Sequence, residues 1–206
     1  MYLTTTGMSE SPHTRFRNVA VALAGLVLAF ALVACGSDET GDSSAPPPDY
    51  ATELAGSPAP LAALHKQGDQ ILEGGQEAFD SRLDELKGFP KVVNVWGSWC
   101  GPCRAEFPHF QQVSAKLGKK VAFLGVDSQD DTGAAEGFLA DHSVPYPSYA
   151  DQDQDIGRSI GVPGGIPATS FFNADGERTY TKFGQYTSNE ELEADIQEHA
   201  INGESG

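Results

Sequence analysis

The sequence predicts an α/β fold with a mixed central sheet flanked by helices. The main observation is that short β-rich runs alternate with helical patterns, which is typical of a sheet with a parallel portion. A turn signal, Asn-Ala-Asp-Gly, separates the last two β-rich runs and predicts that they form a hairpin. The predicted strands are 91–96, 121–126, 168–172 and 178–183, and the predicted helices are 100–117, 132–141 and 189–199.

Ahead of these strands, the sequence predicts a short β-hairpin followed by one helix. The runs 61–65 and 70–73 resemble two short strands, and a helical pattern covers 77–86. The sheet would therefore carry an extra hairpin at its N-terminal side.

The composition is that of a globular protein and excludes several classes. The chain has 206 residues, of which 39% are hydrophobic and 20% charged, so we expect one domain or at most two small ones. A formal net charge of -16 disfavours binding to nucleic acid, because the phosphates would repel the protein. Three cysteines are too few for a disulfide scaffold.

Residues 1–34 are predicted to be a lipoprotein signal peptide. Arg15 and Arg17 precede an uncharged, largely apolar run that is short for a membrane span. The run ends in Leu-Val-Ala-Cys, which resembles a bacterial lipobox, and this resemblance implies that Cys35 carries lipid and becomes the first mature residue. An uncleaved anchor helix is the alternative, and Met8 is a second candidate start.

Residues 35–57 are predicted to be the lipidated cysteine and a disordered acidic tether, and the folded domain is predicted at 58–206. The tether sequence is rich in Ser, Pro and Gly and poor in large apolar residues, so it cannot bury a core. A random coil of this length spans about 25 Å root-mean-square. A domain on such a tether would work close to a membrane surface.

The motif Cys-Gly-Pro-Cys that starts at Cys100 predicts a redox-active pair. It follows a strong β-rich run and opens a helix, and the chain has no second Cys-x-x-Cys for a zinc site. The helix N-terminus favours a thiolate on Cys100, and Cys103 could resolve a mixed disulfide formed there. Gly101 and Pro102 fit the first turn, and Trp99 flanks the pair. A structural or metal-binding pair is the alternative.

The segment VVNVWGSWCGPCRAE at 92–106 resembles the active-site segment of TlpA/ResA/CcsX-like (DsbE-like) thioredoxins. The resemblance extends over about 58–200. It implies a thioredoxin fold with an extra N-terminal β-hairpin. It also implies a membrane-tethered thiol-disulfide oxidoreductase on the extracytoplasmic face of a bacterial cell membrane.

Two prolines match positions of this family. Pro108 matches the proline that kinks the active-site helix, and a helix that ends early is the alternative there. Pro167, preceded by Ile166, matches the cis-proline that faces the cysteine pair. We prefer it to Pro163 because a β-rich run follows it directly. The resemblance thus implies a substrate-facing loop at Ile166 and Pro167.

Glu106 matches a glutamate that ResA-like members carry after the motif. It lies three residues after Cys103 on the same helix face, where a carboxylate could accept and return the proton of that thiol. Thioredoxins proper use an aspartate on the preceding strand, but Asn94 stands at that spacing and cannot titrate. The alternative is a solvated helix residue.

No metal site and no cofactor are expected. The acidic run that starts at Asp151 lacks the Gly and Glu of a calcium-binding loop, so we predict a solvated turn before a short helix. The scattered histidines share no ligand spacing. The cysteine pair itself is expected to carry the redox chemistry.

The predicted reaction is dithiol–disulfide exchange, with reduction favoured. The resemblance implies a reductase of the disulfide in apocytochrome c, supplied with electrons by a CcdA- or DsbD-like membrane partner. We expect a monomer held to the membrane by lipid. One alternative is a disulfide oxidase or general thiol-exchange protein for secreted substrates. Another, from a different class, is a non-catalytic thioredoxin-like domain that handles substrates or copper.

Overall fold

The computed structural model of the protein describes residues 46–203. One six-stranded sheet is flanked by helices, which confirms the predicted α/β class. The elements in chain order are α1 Tyr50–Glu53, α2 Ala59–His65, β1 Ile71–Leu72, α3 Gly75–Glu85, β2 Lys91–Trp96, α4 Gly101–Leu117, β3 Ala122–Ser128, α5 Thr132–Asp141, β4 Ser148–Asp151, α6 Asp155–Ser159, β5 Ala168–Phe172, β6 Arg178–Phe183, α7 Asn189–Asp195 and a π-helical segment Ile196–Ile201.

The strands lie in the order β1-β4-β3-β2-β5-β6. The first four in this order are parallel to one another, whereas β5 runs antiparallel to β2 and β6 antiparallel to β5. The mixed sheet and the hairpin of the last two strands are therefore as predicted. The carboxyl ends of the parallel strands meet at one edge of the sheet, and α4 begins at that edge.

Alternate residues of β2 enter hydrophobic clusters on opposite faces of the sheet. Val92 and Trp96 join the cluster that contains Phe107 of α4, whereas Val93 and Val95 join the other cluster. The rings of Trp96 and Phe107 meet edge-on with centroids 5.0 Å apart. This packing fixes α4 against the sheet and so fixes the position of its first turn.

The predicted N-terminal hairpin is wrong. The run 61–65 belongs to α2, in which Pro60 stands in the first turn and Leu61 and Leu64 are both fully buried. β1 has two residues and pairs in parallel with β4 instead of folding back on a preceding strand. The misassignment arose because the period of a five-residue run does not separate a strand from a helical turn.

The folded part begins before residue 58, so the predicted boundary between tether and domain is too late. Tyr50 lies in α1, and its hydroxyl donates a hydrogen bond to the carbonyl oxygen of Ser143 at 2.7 Å. Leu54 follows α1 and is buried. The predicted signal peptide, Cys35 and the tether as far as residue 45 lie outside the described residues.

Strand β4 was not predicted from the sequence, because its four residues include two polar side chains. Ser148 and Asp151 are nevertheless both buried. The hydroxyl of Ser148 accepts a hydrogen bond from Trp96 Nε1 at 3.0 Å, and the carboxylate of Asp151 accepts from the N–H groups of Ile156 and Gly157. The short helix expected next is confirmed as α6, but Asp151 is a buried capping acid rather than part of a solvated turn.

The last predicted helix is confirmed as α7, and the chain continues from it as the π-helical segment. The hydroxyl of Ser188 caps α7 by accepting a hydrogen bond from the N–H of Glu191. Within residues 46–203, no helix combines the length and the apolar character that crossing a bilayer requires.

Candidate active site

The two cysteines of the motif are joined by a disulfide at the start of α4. Cys100 is the N-cap residue, and its Cα lies 5.2 Å from that of Cys103. The Cys100 sulfur accepts a hydrogen bond from the backbone N–H of Cys103 at 3.2 Å. Cys100 is 4% exposed, whereas Cys103 is fully buried. After reduction, a thiolate on Cys100 would be stabilised by the N–H groups and the dipole of the helix start.

The other residues of the motif and the predicted proline have the expected places in α4. Gly101 and Pro102 form its first turn and are exposed. Pro108 lies inside the helix, which continues to Leu117. The alternative that the helix ends at this proline is therefore wrong.

The loop before the cysteine pair is held by the loop after β3. Trp99 is 59% exposed, and its Nε1 donates to the carbonyl oxygen of Ser128 at 3.2 Å. The carboxylate of Asp130 accepts hydrogen bonds from both the N–H and the hydroxyl of Ser98. Gly97 permits this arrangement, because a Cβ there would lie 2.7 Å from Trp99 Nε1. Asp130 was not predicted from the sequence, because its contact with Ser98 spans 32 residues.

The Ile166–Pro167 peptide bond is cis, the isomer that the resemblance implies. Pro167 directly precedes β5, and Ala168 pairs with Val95 near the carboxyl end of β2. The proline therefore lies at the end of the sheet where α4 begins. Ile166 packs, partly buried, against both hydrophobic clusters. Within the described part of the chain no other peptide bond is cis, which excludes Pro163 as the competitor.

Glu106 is fully buried, so the alternative of a solvated helix residue is wrong. Its Oε1 accepts a hydrogen bond from Asn94 Nδ2 at 2.8 Å, and its Oε2 accepts one from the backbone N–H of Tyr186 at 3.0 Å. Burial raises the pKa of Glu106 to about 7, although both hydrogen bonds favour the ionised form. Near neutral pH the carboxyl can therefore take up and return a proton.

A charged cluster lies beside Glu106. Lys182 Nζ is 2.5 Å from Glu191 Oε1, 3.9 Å from Asp195 Oδ2 and 4.6 Å from the ring centroid of Tyr186. The Tyr186 hydroxyl donates to Asp195 at 2.8 Å. The positive charge of Lys182 lowers the pKa of Glu106, and the negative charge of Glu191 raises it. The charged members of this cluster are partly exposed, whereas Glu106 is not.

Asp127 is a further buried acid, and it was not predicted from the sequence. It lies near the carboxyl end of β3, paired in register with Trp96, and it is 2% exposed. Burial, followed by the charge of Asp130, raises the pKa of Asp127 to about 8. The available signal was an acid at the end of a β-rich run, since functional groups gather at the carboxyl ends of parallel strands.

Within residues 46–203, no group of three or more His, Cys, Asp or Glu side chains is arranged to hold a metal ion. The histidines make other contacts: His109 Nδ1 lies 2.9 Å from Asn189 Oδ1, and His142 stacks on Phe138 with ring centroids 4.2 Å apart. The expectation that the whole protein works without a cofactor stays a prediction.

Comparison with known proteins adds a family and named relatives. The family model Redoxin matches residues 54–196. The thiol:disulfide interchange protein DsbE of Pseudomonas fluorescens biotype C is 35% identical over 135 residues, which cover 63% of this chain and 67% of that protein. The thiol-disulfide oxidoreductase ResA of Bacillus anthracis is 29% identical over 131 residues, which cover 63% of this chain and 75% of that protein.

One solved structure among the matches is a secreted disulfide oxidoreductase of Mycobacterium tuberculosis, described as homologous to DsbE of E. coli. It matches with a TM-score of 0.50 and 30% identity over 55% of this chain and 84% of that chain. Together with the family match, this likeness confirms the thioredoxin-like fold. The region matched by the family model contains both cysteines of the motif.

Proposed function

We propose, since the chain belongs to the Redoxin family and is a thiol-disulfide oxidoreductase, that it reduces the disulfide of apocytochrome c outside the cytoplasm. The observation that carries this proposal is the Cys100–Cys103 pair at the start of α4, at the same end of the sheet as the Ile166–Pro167 loop. Two features support reduction. Cys-Gly-Pro-Cys with isoleucine before the cis-proline is the combination of thioredoxin itself, and the ResA/CcsX-like proteins that the sequence resembles reduce the Cys-x-x-Cys-His pair of apocytochrome c.

The reaction starts from the reduced pair. The Cys100 thiolate attacks one sulfur of the substrate disulfide, forms a mixed disulfide and releases the other substrate sulfur as a thiolate. Cys103, once deprotonated, attacks the Cys100 sulfur, releases the second substrate thiolate and leaves the Cys100–Cys103 disulfide. Two electrons pass to the substrate. The greater exposure of Cys100 supports this order.

Glu106 is the proposed acceptor of the Cys103 proton. Cys103 is fully buried, so water reaches its thiol less readily than a positioned side chain would. Glu106 projects from the same helix one turn later, and its carboxyl is buried beside the sheet. With a pKa of about 7, it can be ionised before the attack and return the proton afterwards.

Substrate and electron donor would use the same surface. Exposed Trp99, Gly101 and Pro102 surround Cys100, and Pro167 adds the loop beside them. We propose that a CcdA- or DsbD-like membrane protein returns the pair to the dithiol state here, because a reductase outside the cytoplasm needs electrons from across the membrane. The docked partner is a protein in both steps.

We also propose that lipid on Cys35 holds the protein at the membrane. The native protein is expected to sediment with membranes, because two or three acyl chains suffice for stable anchoring. Cys35→Ala is expected to lose the lipid and to keep the rate of disulfide exchange in solution. Mass spectrometry of the N-terminal peptide measures the modification, and an unmodified Cys35 in the mature native protein would contradict the proposal.

The proposed function is tested with the reduced protein and an oxidised Cys-x-x-Cys-His peptide, with insulin as the unrelated disulfide. We expect faster reduction of the peptide and a potential of the cysteine pair near thioredoxin's value of about −270 mV. A potential near about −120 mV, as in DsbA, would favour the oxidase alternative. Equal rates with both disulfides would favour general thiol exchange, and no reduction of either would favour a non-catalytic domain.

A further inference from the structure

A row of polar side chains crosses the sheet beside Glu106. Asn94 of β2 pairs in register with Thr169 of β5, and Thr169 pairs in register with Lys182 of β6. Directly paired residues project from the same face of a sheet, with Cβ atoms about 4.5–5.5 Å apart. Asn94 donates to Glu106 of α4, so this is the face that α4 covers.

Two oxygen atoms of this row lack a hydrogen-bond partner among the described residues: Asn94 Oδ1 and Thr169 Oγ1. Both residues are 1% exposed, so bulk water does not form hydrogen bonds with these atoms. The two groups are chemically complementary, because a hydroxyl donates and an amide oxygen accepts. Leaving either one unmatched in the interior would destabilise the fold.

The orientation of the Asn94 amide decides what Glu106 meets. With Nδ2 toward Glu106, the amide donates to the carboxylate and favours its ionised form. With the amide turned over, its oxygen would face the carboxylate and favour the protonated acid. A donor on the Oδ1 side would hold the first orientation, and Thr169 carries the only hydroxyl among the residues paired with Asn94.

We propose that Thr169 is a positioning residue for Glu106 and acts through the Asn94 amide. The structure forms no hydrogen bond between the two oxygens; on this proposal the Thr169 side chain turns to donate to Asn94 Oδ1, so that Nδ2 faces Glu106 when the carboxyl is ionised. A hydroxyl can also accept a hydrogen bond, so the pair can follow Glu106 when it is protonated. The inference deepens the proposed function, because it rests on Glu106 as the proton acceptor of that reaction.

A substitution at position 169 leaves the other titratable groups that act on Glu106 in the sequence. Lys182 of β6 and Glu191 of α7 act on its ionisation with opposite signs. The electrostatic neighbours also include the phenols of Tyr146 and Tyr186, and burial raises the pKa of both. These phenols stay neutral over the pH range in which Glu106 titrates, so their ionisation does not contribute to the measured titration of Glu106.

The experiment follows the carboxyl of Glu106 by carbon-13 NMR in the oxidised protein, with Glu106→Gln used to assign the signal. Thr169→Val replaces the hydroxyl with a methyl group of similar size. We expect the pKa of Glu106 to rise by at least about 0.5 pH unit, a threefold change in its ionisation constant. Thr169→Ser keeps the hydroxyl and is expected to titrate like the wild type.

Ser170→Ala is the matched control on the same strand. Ser170 projects to the opposite face, where its hydroxyl donates to the carbonyl oxygen of Ile160 at 2.7 Å. We expect Ser170→Ala to change the denaturation midpoint and to leave the titration of Glu106 unchanged.

Three outcomes would overturn the inference: Thr169→Val titrates like the wild type, Thr169→Ser shifts as much as Thr169→Val, or Ser170→Ala shifts equally. In the first case, altered stability of Thr169→Val alone would mark a purely structural role. No substrate is present in these titrations, so their result is independent of whether apocytochrome c is reduced. Failure of the peptide assay would therefore count against the proposed function and leave this inference standing.

Discussion

Cys103→Ser is expected to accumulate a mixed disulfide between Cys100 and a protein substrate, whereas Cys100→Ser is expected to accumulate almost none. The reason is that Cys100 caps α4 and is the more exposed sulfur, while Cys103 is buried beneath the first turn. Without Cys103, the first step still occurs but the second cannot. Both variants should lose at least about a thousandfold in multiple-turnover reduction, since removal of a nucleophile has effects of this size or larger.

The measurement is non-reducing electrophoresis of each variant after reaction with the oxidised peptide, followed by mass spectrometry of the adduct. The double variant Cys100→Ser/Cys103→Ser is the control, because it folds around the same helix but has no thiol in the motif. Equal trapping by the two single variants would reverse the assignment of roles. So would selective alkylation of Cys103 in the reduced wild type at neutral pH.

Glu106→Gln is expected to slow disulfide exchange by at least about tenfold and to lower the pKa values of the cysteine thiols. Proton transfer by a positioned side chain contributes about 10²–10⁴-fold, and water replaces part of this when the carboxylate is lost. The downward shift follows because the substitution removes a negative charge that opposes the thiolates. Alkylation rates measured across pH for the wild type and Glu106→Gln test both statements. Superimposable profiles would leave the cysteine pair as the only catalytic groups.

Stability gives an independent test of the same buried carboxyl. The pKa of Glu106 is about 7 in the folded protein, above the usual 4.5, so the folded state holds this proton more tightly than the unfolded state. The contribution of Glu106 to the free energy of unfolding therefore falls as pH rises from about 4.5 through 7. In Glu106→Gln this part of the pH dependence should be missing. Urea denaturation at pH 5 and pH 8 measures it. The control is Glu193→Gln in α7, where the glutamate side chain is 29% exposed and pairs with Lys116.

Local sequence was sufficient where the chemistry lies within one turn or one loop. The cysteine spacing, the proline before β5 and the position of Glu106 relative to Cys103 are all visible in short segments. The burial of Glu106 was not, because its partners are 12 residues away at Asn94 and 80 residues away at Tyr186. The residue pattern of a short helix face does not show whether solvent or another element of the fold covers it.

Strand register explains most of what the sequence did not predict. The pairing of Asn94 with Thr169 depends on which residues of β2 and β5 lie opposite each other, and no motif encodes that alignment. Asp127 and Asp130 gain their importance in the same way, because Asp127 pairs in register with Trp96 and the loop after β3 brings Asp130 to Ser98. The wrong prediction of a hairpin from 61–65 and 70–73 has a different cause, because each run is too short for its own pattern to be decisive.

The length of α4 separates a possible attachment point for immobilising or labelling the protein from its redox-active disulfide. Pro46 accepts a hydrogen bond from Gln112 in the C-terminal half of the helix, and Leu54 approaches Gly118 directly after its last turn. The disulfide lies at the other end, and a 17-residue helix is about 26 Å long. A bead, an electrode or a fluorescent protein joined ahead of Pro46 would therefore be attached near the C-terminal end of α4, away from the two sulfurs. An electrode attached there could report reduction of the Cys100–Cys103 disulfide without blocking the approach of a substrate to Cys100.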